Sequence, residues 1–109
     1  MSRFADTLTR LTATIEARKG ADAGSSYTAK LLAGGPPLAA KKFGEEAIET
    51  ALAAVLNDPD AIAAESADLI YHWLVLLTAT GVSLDAVAAK LEAREGRSGI
   101  EEKASRGSN

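Results

Sequence analysis

Residues 45–68 read EEAIETALAAVLNDPDAIAAESAD, and this stretch determines the architecture that we predict. Both of its halves are strongly helical in composition. Between them, Asn57-Asp58-Pro59 is a turn signal, because asparagine and aspartate bond to nearby backbone and proline is excluded from a helix interior. A connection this short makes the two helices antiparallel neighbours. The centre of the protein is therefore predicted to be a helical hairpin.

The same stretch carries two pairs of acids. Residues three apart share a helix face, so Glu46 pairs with Glu49 and Glu65 pairs with Asp68. If the turn is centred after residue 58, Glu49 lies level with Asp68, and at roughly 1.5 Å rise per residue the four acids fall within about 9 Å along the axis. Carboxylates gathered in this way repel one another unless a cation lies among them. The hard oxygen-binding cation Mg²⁺ is the predicted occupant, and an ordinary solvated acidic face is the alternative.

Helical periodicity, capping residues and breakers predict the remaining elements. The predicted helices lie at about residues 2–19, 27–33, 38–56, 60–80 and 84–95, with Ser2 and Ser83 as N-terminal caps and Gly81 as a C-terminal cap. The glycines and prolines of residues 34–37 are predicted to separate the second helix from the third. The predicted fold class is all-α, a bundle of about four to five helices. We predict one domain over residues 1–109, frayed at 1–3 and 107–109.

The second acidic helix is apolar around almost its whole circumference at residues 69–77. A helix with apolar residues in every direction must be covered on every side. The other short helices of a 109-residue chain can hardly enclose it. We therefore predict a homodimer in which this helix packs against its copy.

Composition limits the classes of function. The net charge of −3 argues against a nucleic-acid-binding protein, since phosphate backbones require an excess of lysine and arginine. The absence of cysteine excludes disulfides and thiolate metal sites and suits a reducing cytoplasm. The N-terminal segment lacks the apolar block of a secretory signal, and the apolar run at residues 69–77 is shorter than the roughly 20 residues of a membrane-spanning helix. We predict a cytoplasmic protein without nucleic-acid or membrane partners.

Several side chains near the acids have more than one possible role. His72 shares a helix face with Asp68, and it is a metal ligand, a partner of Asp68, a substrate contact or a hydrogen-bonded histidine at the core edge. Lys42 precedes the first acidic pair and either holds a phosphate or balances the acids. Arg97 and Lys103 belong to a basic tail that is either a second anion site or solvated surface.

Acids that hold Mg²⁺ beside lysine and arginine suit the hydrolysis of a phosphoanhydride. The metal bridges phosphate oxygens and activates water, while a free carboxylate accepts the proton of that water. The sequence contains no Walker-type phosphate loop and no cysteine nucleophile. We therefore predict a hydrolase, and the alternative from another class is a non-enzymatic helical dimerisation module with acids on its surface.

The acidic motifs, Glu-Glu-x-x-Glu at 45–49 and Glu-x-x-Asp at 65–68, resemble the signature of the all-α nucleoside triphosphate pyrophosphatase superfamily. Four further segments are similar to one family within it, the phosphoribosyl-ATP pyrophosphatases of histidine biosynthesis. These segments are SYTAKL at 26–31, KKFGEE at 41–46, ADLIYH at 67–72 and SGIEEKASR at 98–106. The resemblance covers nearly the whole chain, residues 4–106.

The resemblance implies a cytoplasmic homodimer that hydrolyses 1-(5-phosphoribosyl)-ATP with Mg²⁺. The implied products are 1-(5-phosphoribosyl)-AMP and pyrophosphate, in the second step of L-histidine biosynthesis. The metal acids that it implies are Glu46, Glu49, Glu65 and Asp68, with Glu45 as a further ligand or the base that orients water. The residues that it implies at the phosphates or ribose of the substrate are Lys42, His72, Arg97 and Lys103. The nearest rival is a related pyrophosphatase acting on other nucleoside triphosphates.

Overall fold

The computed structural model describes residues 2–96, and in this part of the chain the helices are joined by turns and short connections. The helices of this part are α1 Arg3–Ala17, α2 Tyr27–Ala33, α3 Gly35–Val55, α4 Pro59–Thr80 and α5 Leu84–Glu92. No strand occurs within residues 2–96, and the all-α prediction is confirmed. Arg97, Lys103 and the predicted frayed positions 1 and 107–109 lie outside the described residues.

Side-chain caps determine where four of these helices begin. Each cap accepts hydrogen bonds from backbone N–H groups of the first helical turn, which have no partner inside the helix. Gly81 ends α4 with a left-handed φ of 74°, a conformation that a side chain would strain. The capping residues are Ser2, Ser26, Asp58 and Ser83, and among them Ser2 and Ser83 act as predicted.

The start of α3 differs from the prediction. We expected a break over residues 34–37, whereas α3 begins at Gly35, directly after the cap Gly34 that ends α2. The two prolines fall in the first turn, where a proline loses no hydrogen bond and its fixed φ suits a helix. The tight junction requires a glycine at position 34, because a Cβ atom there would lie 2.7 Å from the Cβ of Leu38. The two helices are therefore joined without a loop.

α4 lies at the centre of the fold. It packs against α1, α2 and α3, and its contact with α3 is the most extensive between helices of residues 2–96. The hairpin predicted from the turn signal Asn57-Asp58-Pro59 therefore forms the body of the protein. The core residues, each at most 1% exposed, come from the first four helices and are Ile15, Leu31, Ala39, Leu74 and Val75.

By length and composition alone, α4 is apolar enough to cross a membrane, and it is the one such helix within residues 2–96. The core helix of a soluble protein meets the same criterion. α4 also carries Glu65, Asp68 and His72, and charged groups facing lipid are costly.

Candidate active site

Three carboxylates from the two arms of the hairpin come together. Ligand oxygens of Glu46 and Glu49 on α3 and of Glu65 on α4 all lie within 4.8 Å of one another. Glu46 and Glu65 are half-buried, and Glu49 is exposed. We call these three residues the acid group. Three of the four acids that the sequence predicts to share a metal therefore converge.

Asp68 is exposed and lies outside the acid group, which corrects the predicted register. Glu49 lies beside Glu65 instead of opposite Asp68. The reason is the position of the turn: Asp58 caps α4 and Pro59 is already helical, so the three-residue connection, 56–58, is centred at Asn57. The role of Asp68 as a fourth ligand stays a prediction.

Burial raises the pKa of the Glu46 and Glu65 carboxyls above their ordinary value, and the negative charge of Glu49 raises both further. The charge of Asp68 adds to the rise in both pKa values, so this acid remains within electrostatic reach. The Oε2 atoms of Glu46 and Glu65 are buried and have no hydrogen-bond partner within residues 2–96. A buried carboxylate oxygen without a partner is unfavourable. Mutual repulsion and the buried, unpartnered oxygens therefore make the ionised acid group unfavourable in the absence of a cation.

The donor set of the acid group fits Mg²⁺. Every donor is a carboxylate oxygen, which is the ligand type of hard divalent cations. A cation would provide the two unpartnered oxygens with a ligand and would remove the repulsion among the three charges. Glu46, Glu49 and Glu65 can thus hold a divalent metal ion.

Lys42 and Glu45 form an ion pair at the edge of the acid group. Lys42 Nζ lies 3.3 Å from Glu45 Oε1, and this hydrogen bond raises the pKa of the Lys42 ammonium. Both residues line an open depression of about 510 Å³, together with Glu46, Ile48, Glu49 and Leu52. Glu45 is therefore paired with a lysine and does not join the three converging oxygens. The Lys42 charge lies where it can meet the phosphates of a ligand bound to the acid group.

His72 is buried, with 6% of its surface exposed. Its side chain contacts the main chain of Asp68 and not the carboxylate of that residue. Its Nδ1 lies 2.8 Å from the Asp68 carbonyl oxygen, and because a carbonyl only accepts, Nδ1 donates. In the neutral ring Nε2 then accepts from the Tyr27 hydroxyl at 3.4 Å. The next residue on α2, Thr28, bonds the Tyr71 hydroxyl at 2.5 Å. These two contacts tie the start of α2 to α4 beside the acid group.

Thr50 is a residue that sequence reasoning did not single out. Its single hydroxyl proton is shared between two acceptors, the main-chain oxygen of Glu46 at 2.8 Å from Oγ1 and that of Glu65 at 3.1 Å. The only signal in the sequence is a threonine in a helix interior, where the hydroxyl seeks a carbonyl partner. The second carbonyl belongs to another helix, and the sequence alone does not place it there.

In metal-free protein, we expect the acid group to lower stability as pH rises. Glu46 and Glu65 have pKa values raised above the ordinary 4.5, so the folded protein holds protons that the unfolded chain has released. Their contribution to folding is fully favourable below pH 4.5 and is lost as pH rises through the raised values. Glu65→Gln removes one of these charges. The variant should therefore gain stability relative to wild type as pH rises.

Urea unfolding in a chelator at about pH 5 and about pH 7.5 measures this difference. Glu16→Gln, which neutralises an exposed acid on α1, is the control. Its free energy of unfolding should differ from that of wild type by the same amount at both pH values. A difference between Glu65→Gln and wild type that does not change with pH would contradict the raised pKa.

Fold and site together define a class: an all-helical protein with a carboxylate group able to hold a divalent cation, next to a lysine suited to phosphate oxygens. The sequence model of the phosphoribosyl-ATP pyrophosphohydrolase family matches residues 8–95. The chain belongs to the phosphoribosyl-ATP pyrophosphohydrolase family and is therefore a hydrolase. The predicted family and the predicted hydrolase are confirmed, and the alternative of a non-enzymatic module is set aside.

Curated relatives named phosphoribosyl-ATP pyrophosphatase are similar over nearly the whole chain. The relative from Caulobacter vibrioides is 71% identical over 104 residues, which are 95% of this chain and 96% of the relative. The relative from Parvibaculum lavamentivorans is 60% identical over 107 residues, 98% of each chain. The relative from Rhodobacter capsulatus is 59% identical over 100 residues, 92% of this chain and 97% of the relative.

Proposed function

We propose that the protein hydrolyses 1-(5-phosphoribosyl)-ATP to 1-(5-phosphoribosyl)-AMP and pyrophosphate with Mg²⁺, in the second step of L-histidine biosynthesis. The acid group carries this proposal, because three ligand oxygens lie within 4.8 Å and two buried oxygens have no partner within residues 2–96. The choice of substrate is supported by the names of relatives as similar as 71% identical. It is also supported by the SYTAKL, KKFGEE and SGIEEKASR segments.

The residues of the acid group hold the metal in this proposal, and Asp68 is the fourth ligand. The chemistry that Mg²⁺ would supply when held by these acids is charge stabilisation of the phosphoanhydride and acidification of a water molecule. During hydrolysis the oxygen of water bonds to phosphorus, one P–O bond of the phosphoanhydride breaks, and pyrophosphate leaves. A carboxylate accepts the proton of the water. Glu45 keeps its proposed role as a further ligand or the base that orients water, at the edge of the depression that the acids line.

Lys42, His72, Arg97 and Lys103 are the proposed contacts of substrate phosphates or ribose. Lys42 is supported by its place beside the acids in the same depression. His72 is buried, whereas Tyr27 in front of it is 53% exposed, so we propose that His72 acts by orienting the Tyr27 hydroxyl. Arg97 and Lys103 lie outside the described residues, and their role rests on the family resemblance.

The test is the release of pyrophosphate from phosphoribosyl-ATP and, in parallel, from ATP and dUTP, each with Mg²⁺ and with a chelator. Rapid release from phosphoribosyl-ATP alone, abolished by the chelator, is expected. Preference for a simple triphosphate would keep the metal site but favour the related pyrophosphatases. Release that is insensitive to the chelator would contradict the proposed metal.

We propose a homodimer whose interface includes the outer face of α3. The sequence had predicted contact through residues 69–77 of α4, but none of these residues is exposed in a single subunit, because α1, α2 and α3 pack against α4. Three apolar residues at helical spacing are exposed on α3, namely Ile48 64%, Leu52 57% and Val55 81%, and the residue directly after the helix, Leu56, is 78% exposed. A contiguous exposed apolar face of this kind is typical of an interaction surface. Ile48 and Leu52 also line the depression beside the acids, and all of its lining residues belong to α3. A second subunit on this face would therefore border the active site.

Val55→Glu is expected to weaken the dimer by about tenfold or more, because it places an unpaired charge in an apolar interface. Sedimentation equilibrium over a range of protein concentrations measures the dissociation constant. Val82→Glu is the control, since Val82 is 42% exposed and lies outside α3. An unchanged dissociation constant for Val55→Glu would move the interface elsewhere.

We also propose that residues 1–109 form one domain and that the protein acts in the cytoplasm without nucleic-acid or membrane partners. The net charge of −3 supports the absence of a nucleic-acid partner, because phosphate backbones repel an acidic surface. A small nucleotide is the partner that the site accommodates in this proposal.

A further inference from the structure

The hydroxyl of Thr50 joins the two helices that carry the acid group. Its oxygen lies 2.8 Å from the main-chain oxygen of Glu46 on α3 and 3.1 Å from the main-chain oxygen of Glu65 on α4. The hydroxyl therefore contacts one main-chain oxygen on each arm of the hairpin. Thr50 is half-buried, so water competes only in part for these contacts.

Thr50 differs in this respect from four other helical threonines of the described chain. Their hydroxyls also donate to a carbonyl four residues earlier, but each reaches only its own helix. These residues are Thr7, Thr9, Thr14 and Thr80. A carbonyl oxygen has two lone pairs, so the Glu46 and Glu65 oxygens accept from Thr50 in addition to their helical bonds. The extra contact specifies how α3 and α4 face each other.

The two carbonyls belong to the residues whose side chains meet in the acid group. Glu46 and Glu65 are also the acids with buried and unpartnered Oε2 atoms. Without metal, the charges of the acid group repel and favour separation of the helices at this level. The Thr50 hydroxyl opposes that separation, because it contacts the main-chain oxygens of both Glu46 and Glu65.

We propose that Thr50 is a positioning residue that holds α3 and α4 at the separation at which the acid group forms a ready metal site. This inference rests on the part of the proposed function in which the acids bind a divalent cation. Groups that orient metal ligands typically contribute about 10- to 100-fold to metal affinity. Thr50→Val keeps the shape of the side chain and removes the hydroxyl, so it should weaken metal binding at the low end of that range, by about tenfold.

Mn²⁺ binding to the free protein, followed by the electron paramagnetic resonance signal of unbound Mn²⁺, tests the inference without any turnover. Thr50→Val should bind Mn²⁺ about tenfold more weakly than wild type, and Thr50→Ser, which keeps the hydroxyl, should restore binding. The Mg²⁺ concentration for half-maximal pyrophosphate release should rise in parallel, while kcat at saturating Mg²⁺ stays near the wild-type value.

Thr80→Val is the matched control. Its hydroxyl also contacts two carbonyls, those of Leu76 at 2.8 Å and Leu77 at 3.2 Å, but both belong to α4. Thr80→Val should leave Mn²⁺ affinity unchanged. Circular dichroism of each variant confirms that the comparison is made on folded protein.

Equal Mn²⁺ affinity in wild type and Thr50→Val would overturn the positioning role. A wild type that does not bind Mn²⁺ would instead overturn the proposed metal site, so the two failures are distinct. If Thr50→Val does not fold, Thr50→Ala replaces it as the variant without the hydroxyl, and Thr50→Ser stays the variant that keeps it. Weaker Mn²⁺ binding in the folded alanine variant, with wild-type affinity in the serine variant, supports the role of the hydroxyl. Equal affinity in the alanine variant and wild type overturns it.

Discussion

Glu49→Gln is expected to reduce the turnover of phosphoribosyl-ATP by about 10³-fold while leaving the helical content unchanged. The ligand oxygen of Glu49, like that of each member of the acid group, lies within 4.8 Å of those of the other two. Its charge also contributes, after burial, to the raised pKa of both. Glutamine keeps the shape and loses the charge that a divalent cation requires. Charge stabilisation by a metal is worth several kcal/mol, and about 1.4 kcal/mol corresponds to tenfold in rate.

Steady-state pyrophosphate release at saturating Mg²⁺ measures the loss, and circular dichroism checks the fold. Glu16→Gln, an exposed acid on α1, should retain activity within about twofold. In a chelator, Glu49→Gln should be at least as stable as wild type, because it removes repulsion from the acid group. Wild-type turnover in Glu49→Gln would remove the acid group from the mechanism.

Asp68→Asn examines whether the fourth predicted acid moves inward when metal binds. Asp68 lies outside the acid group, yet its charge still raises the pKa of Glu46 and Glu65 after burial and Glu49. A loss of turnover as large as that of Glu49→Gln would assign Asp68 to the metal. A loss of only a few-fold would leave Asp68 as an electrostatic neighbour.

The helical hairpin and most of its site were predictable because they depend on local chemistry. A turn signal between two helical segments brings their acids together, and residues three apart share a face whatever the rest of the chain does. Ser2, Gly81 and Ser83 end or begin helices through backbone bonds within a few residues. The same local rule was misleading at residues 34–37, because a proline that ends one helix also suits the first turn of the next.

The contacts between helices were not predictable from the sequence, because they depend on how each helix is rotated about its axis. Thr50 reaches the Glu65 carbonyl only in the register set by a turn centred at Asn57. A partner of Asp68 was one of several roles left open for His72, and the structure shows a hydrogen bond to the main-chain oxygen of that residue. Its other partner, Tyr27, lies 45 positions away on a helix that no spacing rule places.

Mg²⁺ is expected to raise the melting temperature of the wild-type protein by roughly 10 °C at about 100 times its dissociation constant. The folded protein brings the acids of α3 and α4 within 4.8 Å, whereas the unfolded chain separates them. A ligand that binds only the folded state at this concentration stabilises it by about 2.7 kcal/mol. Removal of the repulsion among three carboxylates is one physical source of that affinity. The chelator that abolishes turnover should also lower the melting temperature.

Differential scanning calorimetry with Mg²⁺ and with sodium chloride at equal ionic strength separates site binding from screening. Salt alone weakens repulsion among exposed charges and should give a much smaller shift. Glu49→Gln should lose most of the Mg²⁺ shift while it keeps the small effect of salt. An equal Mg²⁺ shift in Glu49→Gln and wild type would mean that the ion binds elsewhere on the folded chain. If Mg²⁺ raises the melting temperature of wild type and Glu49→Gln abolishes that rise, the ion binds at the acid group. The repulsion that destabilises the metal-free fold would then be the same repulsion that bound metal relieves.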